Sequence, residues 1–200
     1  HDKQRWFRVV ARACRRFGLR RVLDYGGGVG GVSLFLQSRD IVCDYLDVAG
    51  QTFEYARWRF ARRSLPVQTI DVLHGWPKGP YDAVIAWDVL EHLFDLEGTI
   101  ENISGILRPG GWLLDKSTFG EEGGDHHVHL AKYACYRDVS QFNEMVARYG
   151  FLYVGQLKPD RLSRLLGSLG FRSTVAGIRI SSRVKHGGNF LIHERQEGHG

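Results

Sequence analysis

Cysteine is scarce in this chain of 200 residues: Cys14, Cys43 and Cys135 stand far apart, with no C-x-x-C pair. An odd, scattered set argues against a disulfide framework and a zinc ribbon, and it suits a reducing compartment. No apolar run approaches the roughly 20 residues a bilayer-spanning helix needs. No charged-then-apolar secretory leader opens the chain. These absences give the expectation of a cytoplasmic protein with no membrane partner. The chain begins at His1 rather than at a methionine, which leaves room for residues ahead of it. Internal repeats, low-complexity tracts and linkers are also missing. The expectation is one domain over residues 1–200, with a leading helix in 1–20 and a lid or substrate-side region in 119–170.

What is present is an ordinary globular balance, 43% hydrophobic and 24% charged, long enough to bury one substantial core. The formal charge is +5, which tolerates an anionic partner without demanding one. Basic residues cluster at RACRRFGLRR (12–21), RWRFARR (57–63) and across 158–185. Solvated helix faces are the plain reading of these clusters. Arginines interleaved with Trp and Phe leave a nucleic-acid surface as the alternative.

The hydrophobic pattern alternates between two periods. Residues 3–17 place Trp6, Val9, Val10, Ala13, Cys14 and Phe17 on one side of a 3.6-residue repeat, an amphipathic helix. RVLDY (21–25) is a short buried strand, a glycine turn follows, and VSLFLQ (32–37) is a helix. Then come a strand at 41–48, a helix at 52–63, a strand at 66–71 and a strongly apolar strand at 81–87. A helical region over 89–107 leads through RPGG into a strand at 112–118. Beyond it lie a helix near 136–149, the run FLYVGQL, a helix near 160–169, and the strand-like runs STVAGIRI and NFLIHE. Which of these three runs complete the sheet stays open. Strands alternating with helices imply an α/β fold, doubly wound and Rossmann-like, with a mostly parallel sheet covered on both faces. Ligands in such sheets bind beyond the carboxyl ends of the strands, where strand order reverses.

The segment DYGGGVGG (24–31) satisfies two patterns. Gly26, Gly28 and Gly31 give the dinucleotide spacing G-x-G-x-x-G, a weak signal alone. Asp24, Gly26, Gly28 and Gly30 give D-x-G-x-G-x-G. A pyrophosphate at about 5 Å from the Asp24 carboxylate, at an effective dielectric of about 20, costs about 3 kcal/mol of repulsion. A cationic ligand gains from the same acid. Further acids close the next strands: Asp47, placed for ribose hydroxyls, Asp71, placed for an adenine amino group, and Asp88. Any one of them could be a helix cap or a surface acid. Four at successive strand ends outline a pocket for a nucleoside joined to an amino acid.

The ordered set VLDYGGGVG, YLDV, IDVLHGWP, YDAVIAWDVLEHL and ILRPGGWLLDKST, over residues 20–118, resembles the motifs of class I S-adenosylmethionine (SAM)-dependent methyltransferases, in the broad branch that includes ubiquinone-type O-methyltransferases. The resemblance implies a seven-stranded sheet and a SAM site. Asp24, Tyr25, Gly26, Gly27, Gly28 and Gly30 would hold the methionine part, Asp47 and Val48 the ribose, Asp71 and Val72 the adenine, with Trp87 and Asp88 near the methyl donor. A sulfonium is already activated, so alignment of donor and acceptor suffices without a catalytic triad.

A base is needed only where a hydroxyl must lose its proton. Asp88, Glu91 and His92, at i, i+3 and i+4, would share one face of a helical turn. Related RNA 2′-O-methyltransferases carry E-x-x-E-H here and bind a divalent metal; the shorter Asp88 weakens that reading. The second histidine cluster is His126, His127 and His129, with His129 the positional match to a further metal ligand. His92 and His129 are therefore the candidate bases, and Asp88, Glu91, His92 and His129 the candidate ligands of a metal that is possible but not expected. Trp112, Phe119, Tyr133 and Tyr136 are candidate aromatic walls for a flat acceptor. The expected function is methyl transfer to a small-molecule acceptor, O-methylation slightly favoured. A metal-assisted RNA 2′-O-methyltransferase and a non-catalytic SAM-binding module are the alternatives. Nothing in the sequence fixes the acceptor or the oligomeric state.

Overall fold

The computed structural model describes residues 2–119, 131–157 and 190–198. Helix α1 (Asp2–Phe17) leads into β1 (Arg21–Tyr25), α2 (Gly31–Gln37), β2 (Val42–Asp47), α3 (Gln51–Arg62) and β3 (Thr69–Asp71). The chain then returns as β4 (Tyr81–Trp87), α4 (Leu96–Ile106), β5 (Leu107–Lys116), α5 (Val139–Ala147), β6 (Phe151–Leu157) and β7 (Phe190–Arg195). Seven strands form one sheet in the order β3-β2-β1-β4-β5-β7-β6. The pairs from β3 to β5 are parallel, and β7 runs antiparallel to both β5 and β6. FLYVGQL and NFLIHE thus supply the last two strands. The predicted helix near 160–169 and the run STVAGIRI lie outside the described residues.

The two-residue period of the strands divides the core between the faces. Val22, Ala83, Ile85 and Leu114 face one way, against Trp6, Val9, Val10 and Cys14 of α1 and Val32 and Leu36 of α2. Leu23, Tyr25, Val84, Ala86 and Leu113 face the other way, against Leu96, Ile100 and Ile103 of α4 and Phe142 and Val146 of α5. Helix α3 lays Phe53, Ala56 and Phe60 against Tyr45 and Leu34. Because β1 is flanked by β2 and β4, strand order reverses beside it, and the loop after β1 opens at that reversal.

Several expectations need correction. Phe17 is 41% exposed; α1 ends one residue before the left-handed Gly18, and the ring packs sideways on Trp112. Strand β3 begins at Thr69 rather than residue 66: Pro66 has no N–H to give a ladder, and pairing starts where Tyr45 N–H donates to Gln68 O. Residues 89–107 are not one helix. Asp88 is left-handed at φ 51, a short 3-10 turn covers Leu90–His92, and α4 restarts under a cap in which Asp95 accepts from Gly98 N–H at 2.9 Å. The RPGG turn lies inside β5, where the register against β4 shifts between Leu107 and Trp112. The helix expected near 136 begins at Val139, after a 3-10 stretch over Ala131–Arg137. No helix among the described residues is long and apolar enough to cross a membrane.

Candidate functional site

The glycine loop is built by the strands beneath it. Asp24 is 2% exposed and accepts from the Ser33 N–H at 3.0 Å and the Ser33 hydroxyl at 2.6 Å. It thereby satisfies one of the orphan donors that begin α2, a seven-residue helix whose own cap residue, Gly30, offers no side chain. Burial raises the Asp24 pKa to about 6; the Ser33 hydrogen bonds pull it back, and nearby Asp47 adds to the rise. The glycines serve different ends. At Gly27 a Cβ would stand 2.7 Å from the Tyr45 ring, so the residue is small for packing. Gly28 has φ 53 and open space where its Cβ would be, which leaves its backbone bare toward the cleft. Gly26 abuts Val89 and Gly30 abuts Phe60 in the same way that Gly27 abuts Tyr45.

Asp47, the last residue of β2, reaches back to this loop. Its carboxylate accepts from Gly28 N–H at 2.7 Å, from the Tyr45 hydroxyl at 3.3 Å and from Val48 N–H at 2.7 Å. Tyr45 also donates to Gly28 O at 2.8 Å. On the next strand out, Asp71 stands in register with Asp47. It accepts from Ala49 N–H at 3.2 Å, Leu73 N–H at 3.1 Å and His74 Nδ1 at 2.7 Å. Desolvation opposes ionisation there, yet these hydrogen bonds hold the Asp71 pKa below its ordinary value. Beside the two acids Val48 and Leu73 are 52% and 73% exposed, and Val72 is half-buried in the short turn that follows Asp71. Acids with apolar side chains beside them make a rim that is polar below and apolar at its lip. Such a rim can bind a sugar edge and cover a flat base.

Tyr25 stacks on Trp76 with ring centroids 5.3 Å apart, and burial pushes its phenol pKa up. The Trp87 ring packs edge-on against Phe7 at 5.7 Å, with Lys3 and Lys116 ammonium groups 5.7 and 5.8 Å from its centre. Its side chain therefore belongs to the α1 face, and its backbone, with that of exposed Asp88, reaches the rim.

The expected convergence of Asp88, Glu91 and His92 does not occur. Left-handed Asp88 and the 3-10 turn rotate the three apart. Glu91 is 2% exposed and turns inward to accept from Thr118 N–H at 2.9 Å, while Asp88 stays exposed and His92 half-buried. Burial raises the Glu91 pKa, and the Asp115 charge adds to the rise. Among the described residues no group of three His, Cys, Asp or Glu side chains could hold a metal. His126, His127 and His129 lie outside the described residues. The aromatic walls also divide. Trp112 packs on Phe17 toward the amino ends of the strands and is no part of this rim. Phe119 is buried against Phe142, and Tyr133 and Tyr136 stack at 5.9 Å. The Tyr133 hydroxyl ties to Leu96 N–H at 3.1 Å and Phe94 O at 3.0 Å.

Tyr45, Ser33 and Thr118 are the residues that sequence reasoning missed. Tyr45 was accessible: two residues before Asp47 on a strand, it shares that acid's face.

Residues 1–155 match the family model described as a methyltransferase domain. A lovastatin diketide synthase of Aspergillus terreus is 31% identical over 141 residues, 60% of this chain and 6% of that protein. The chain spans 3 to 6% of the length of the curated relatives it matches first, which include a hybrid synthetase of Macrophomina phaseolina. Among solved structures, StiE O-MT superposes with TM-score 0.63 at 19% identity, over 98% of this chain and 75% of that one. The CurJ carbon methyltransferase superposes with TM-score 0.59 at 18% identity, over 88% and 48%. At these identities the two structures bear on the fold alone.

Proposed function

The chain belongs to the class I SAM-dependent methyltransferases, and from that premise we propose that it methylates an oxygen atom of a small-molecule acceptor. The observation that carries the reading of the donor site is the pairing of Gly28 and Asp47: a bare backbone turn and a carboxylate, 2.7 Å apart, at the reversal of strand order. Asp47 accepts the ribose hydroxyls, Val48 and Leu73 flank the adenine, and Asp71 orders the turn that faces its amino group. Gly26, Gly27, Gly28 and Gly30 shape the floor for the methionine part. Asp24 supports that floor from below, and its charge favours the ligand's cations without touching them. The Trp87 and Asp88 backbone borders the methyl group.

Bound SAM supplies a methyl group already activated on a sulfonium. What remains for the protein is to hold the acceptor oxygen in line at about 3–3.5 Å and to take up its proton. His92, on the turn after β4, is assigned as the base, and His129 is its alternate. The acceptor side is assigned to residues 119–170, of which the structure describes 119 and 131–157, with the whole chain acting as one domain. The unbridged thiols of Cys14, Cys43 and Cys135 support a reducing, cytoplasmic setting.

Calorimetry with SAM and with NAD tests the donor reading: SAM binds and NAD does not. With an acceptor in hand, His92→Ala lowers kcat by about a hundredfold or more with SAM affinity retained. Parallel losses in kcat and affinity would instead make His92 a structural residue.

A further inference from the structure

The basic run RWRFARR is not absorbed by the methyl-transfer site. It lies along the outward face of α3, where Tyr55 and Trp58 are 51% and 53% exposed and stack on one another at 5.6 Å and 20°. Arg59 lies over Tyr55 at 5.8 Å and Arg62 over Trp58 at 5.5 Å. Beside this ladder an open groove of about 430 Å³ runs between α3 and the sheet's edge strand β3, lined by Arg57, Trp58, Leu65, Val67 and Thr69 among others. Arg57 pairs with Glu54 at 3.1 Å, and Arg59 donates to Val29 O in the glycine loop. Arg62 and Arg63 have no carboxylate partner among the described residues.

We propose that this face docks an acidic, amphipathic segment of a partner protein, with carboxylates on Arg62 and Arg63 and an apolar side chain in the groove beside Trp58. Charge selects an anion: one glutamate stands among four arginines between residues 54 and 63. The rings decide which kind. A single-stranded nucleic acid binds such surfaces by laying its bases on open aromatic faces. Here Tyr55 and Trp58 lie against each other, and the Arg59 and Arg62 guanidinium groups stand 5.8 and 5.5 Å from their ring centres, so part of each face is already taken. The Arg62 guanidinium, beside Trp58, has the planar fork that takes a carboxylate through two parallel hydrogen bonds, and Arg63, which gives one N–H to Arg59 O at 3.2 Å, adds a second cation next to it. The apolar floor from Leu65 and Val67 gives a protein side chain something to bury, which a phosphate backbone lacks.

The test is fluorescence anisotropy with two labelled probes, an amphipathic peptide that sets glutamates beside leucines, and oligothymidylate. The intact chain binds the peptide in preference to oligothymidylate. Arg62→Glu and Trp58→Ala each weaken the peptide by about tenfold or more, while Arg15→Glu, on the exposed face of α1, changes it less than twofold, about the effect of net charge alone. Circular dichroism and SAM titration of each variant stay as in the parent, which separates docking from folding and from the donor site. Three results each overturn the proposal: no binding of the peptide, an equal loss from Arg15→Glu, or preferential capture of oligothymidylate through Arg62 and Trp58.

Discussion

The two rims of the sheet treat their acids in opposite ways. On the amino side Asp82 accepts from Arg108 at 2.6 Å and from the backbone of Arg20 and Arg21 at 2.7 and 2.9 Å. Asp44 takes Tyr81 at 2.7 Å and Arg21 at 3.4 Å. On the carboxyl side Asp24, Asp47 and Asp71 hold only backbone amides, hydroxyls and one histidine; no lysine or arginine pairs with them among the described residues. A carboxylate matched by a cation in the protein is settled. One held by neutral donors keeps its charge uncompensated and its field available. The difference marks which rim serves stability and which serves a cationic ligand.

The largest expected effect concerns Asp24. Unfolded, it ionises near 3.8, and folded near 6. Between those values the native state keeps a proton that the unfolded chain has lost, so stability falls as pH rises from about 4 to about 6. The difference corresponds to about 3 kcal/mol, withdrawn above pH 6. Asp24→Asn, which retains an acceptor for Ser33, should therefore lose this slope and gain several degrees of Tm over the parent at pH 8, while binding SAM more weakly. Glu91, raised for the same reason, adds a slope common to both proteins. A parent whose Tm relative to the variant does not change with pH between 4 and 7 would remove Asp24 from the comparison.

Asp47→Ala should weaken SAM by about ten- to a hundredfold, the cost of a charge-assisted hydrogen bond or two, and, by leaving the Gly28 and Val48 amides without their acceptor, should cost about 1 kcal/mol of stability, some 2–4 °C in Tm. Isothermal titration reads this directly, and an unaltered affinity contradicts the ribose assignment. Asp82→Ala is the mirror image. It leaves the Arg20 and Arg21 amides and Arg108 without their acceptor, so about 2 kcal/mol of stability goes, some 4–8 °C in Tm, and SAM affinity stays. The smallest effect belongs to Glu54→Gln. Its pairing with Arg57 is exposed on both sides, and neither Tm nor SAM affinity should move beyond about 0.5 kcal/mol.

The parallel part of the sheet was legible because its strands are short, nearly continuous apolar runs set between helical segments. Val22 and Leu23, or Val84 and Ile85, sit on opposite faces and are both apolar, as a doubly covered sheet requires. The four acids were legible by position, and each lies at or just beyond a strand end. Their partners were not. That Asp24 bends under α2 to Ser33 is a tertiary fact with no local signature. The segment after Trp87 misled because D-x-x-E-H carries helical spacing, while backbone strain at Asp88 and the claim of Thr118 on Glu91 decide its conformation. The aromatics misled similarly: Trp112 and Phe119 lie seven residues apart along one stretch, yet that odd spacing puts them on opposite faces of the sheet, and the length of β5 carries Phe119 beyond its carboxyl end.

The place of β1 in the middle of the sheet has a consequence for how the protein comes into being. Its loop is tethered on one side when Gly26 N–H bonds Leu46 O, and wedged on the other by Val89, some sixty residues further along. A chain emerging from its N-terminus can pair β1 with β2 early. The second wall arrives only when β4 slots in beside it, a closure of long sequence separation and correspondingly slow. A nascent chain halted before residue 81 would hold three of the four acids and only one wall of the cleft they line.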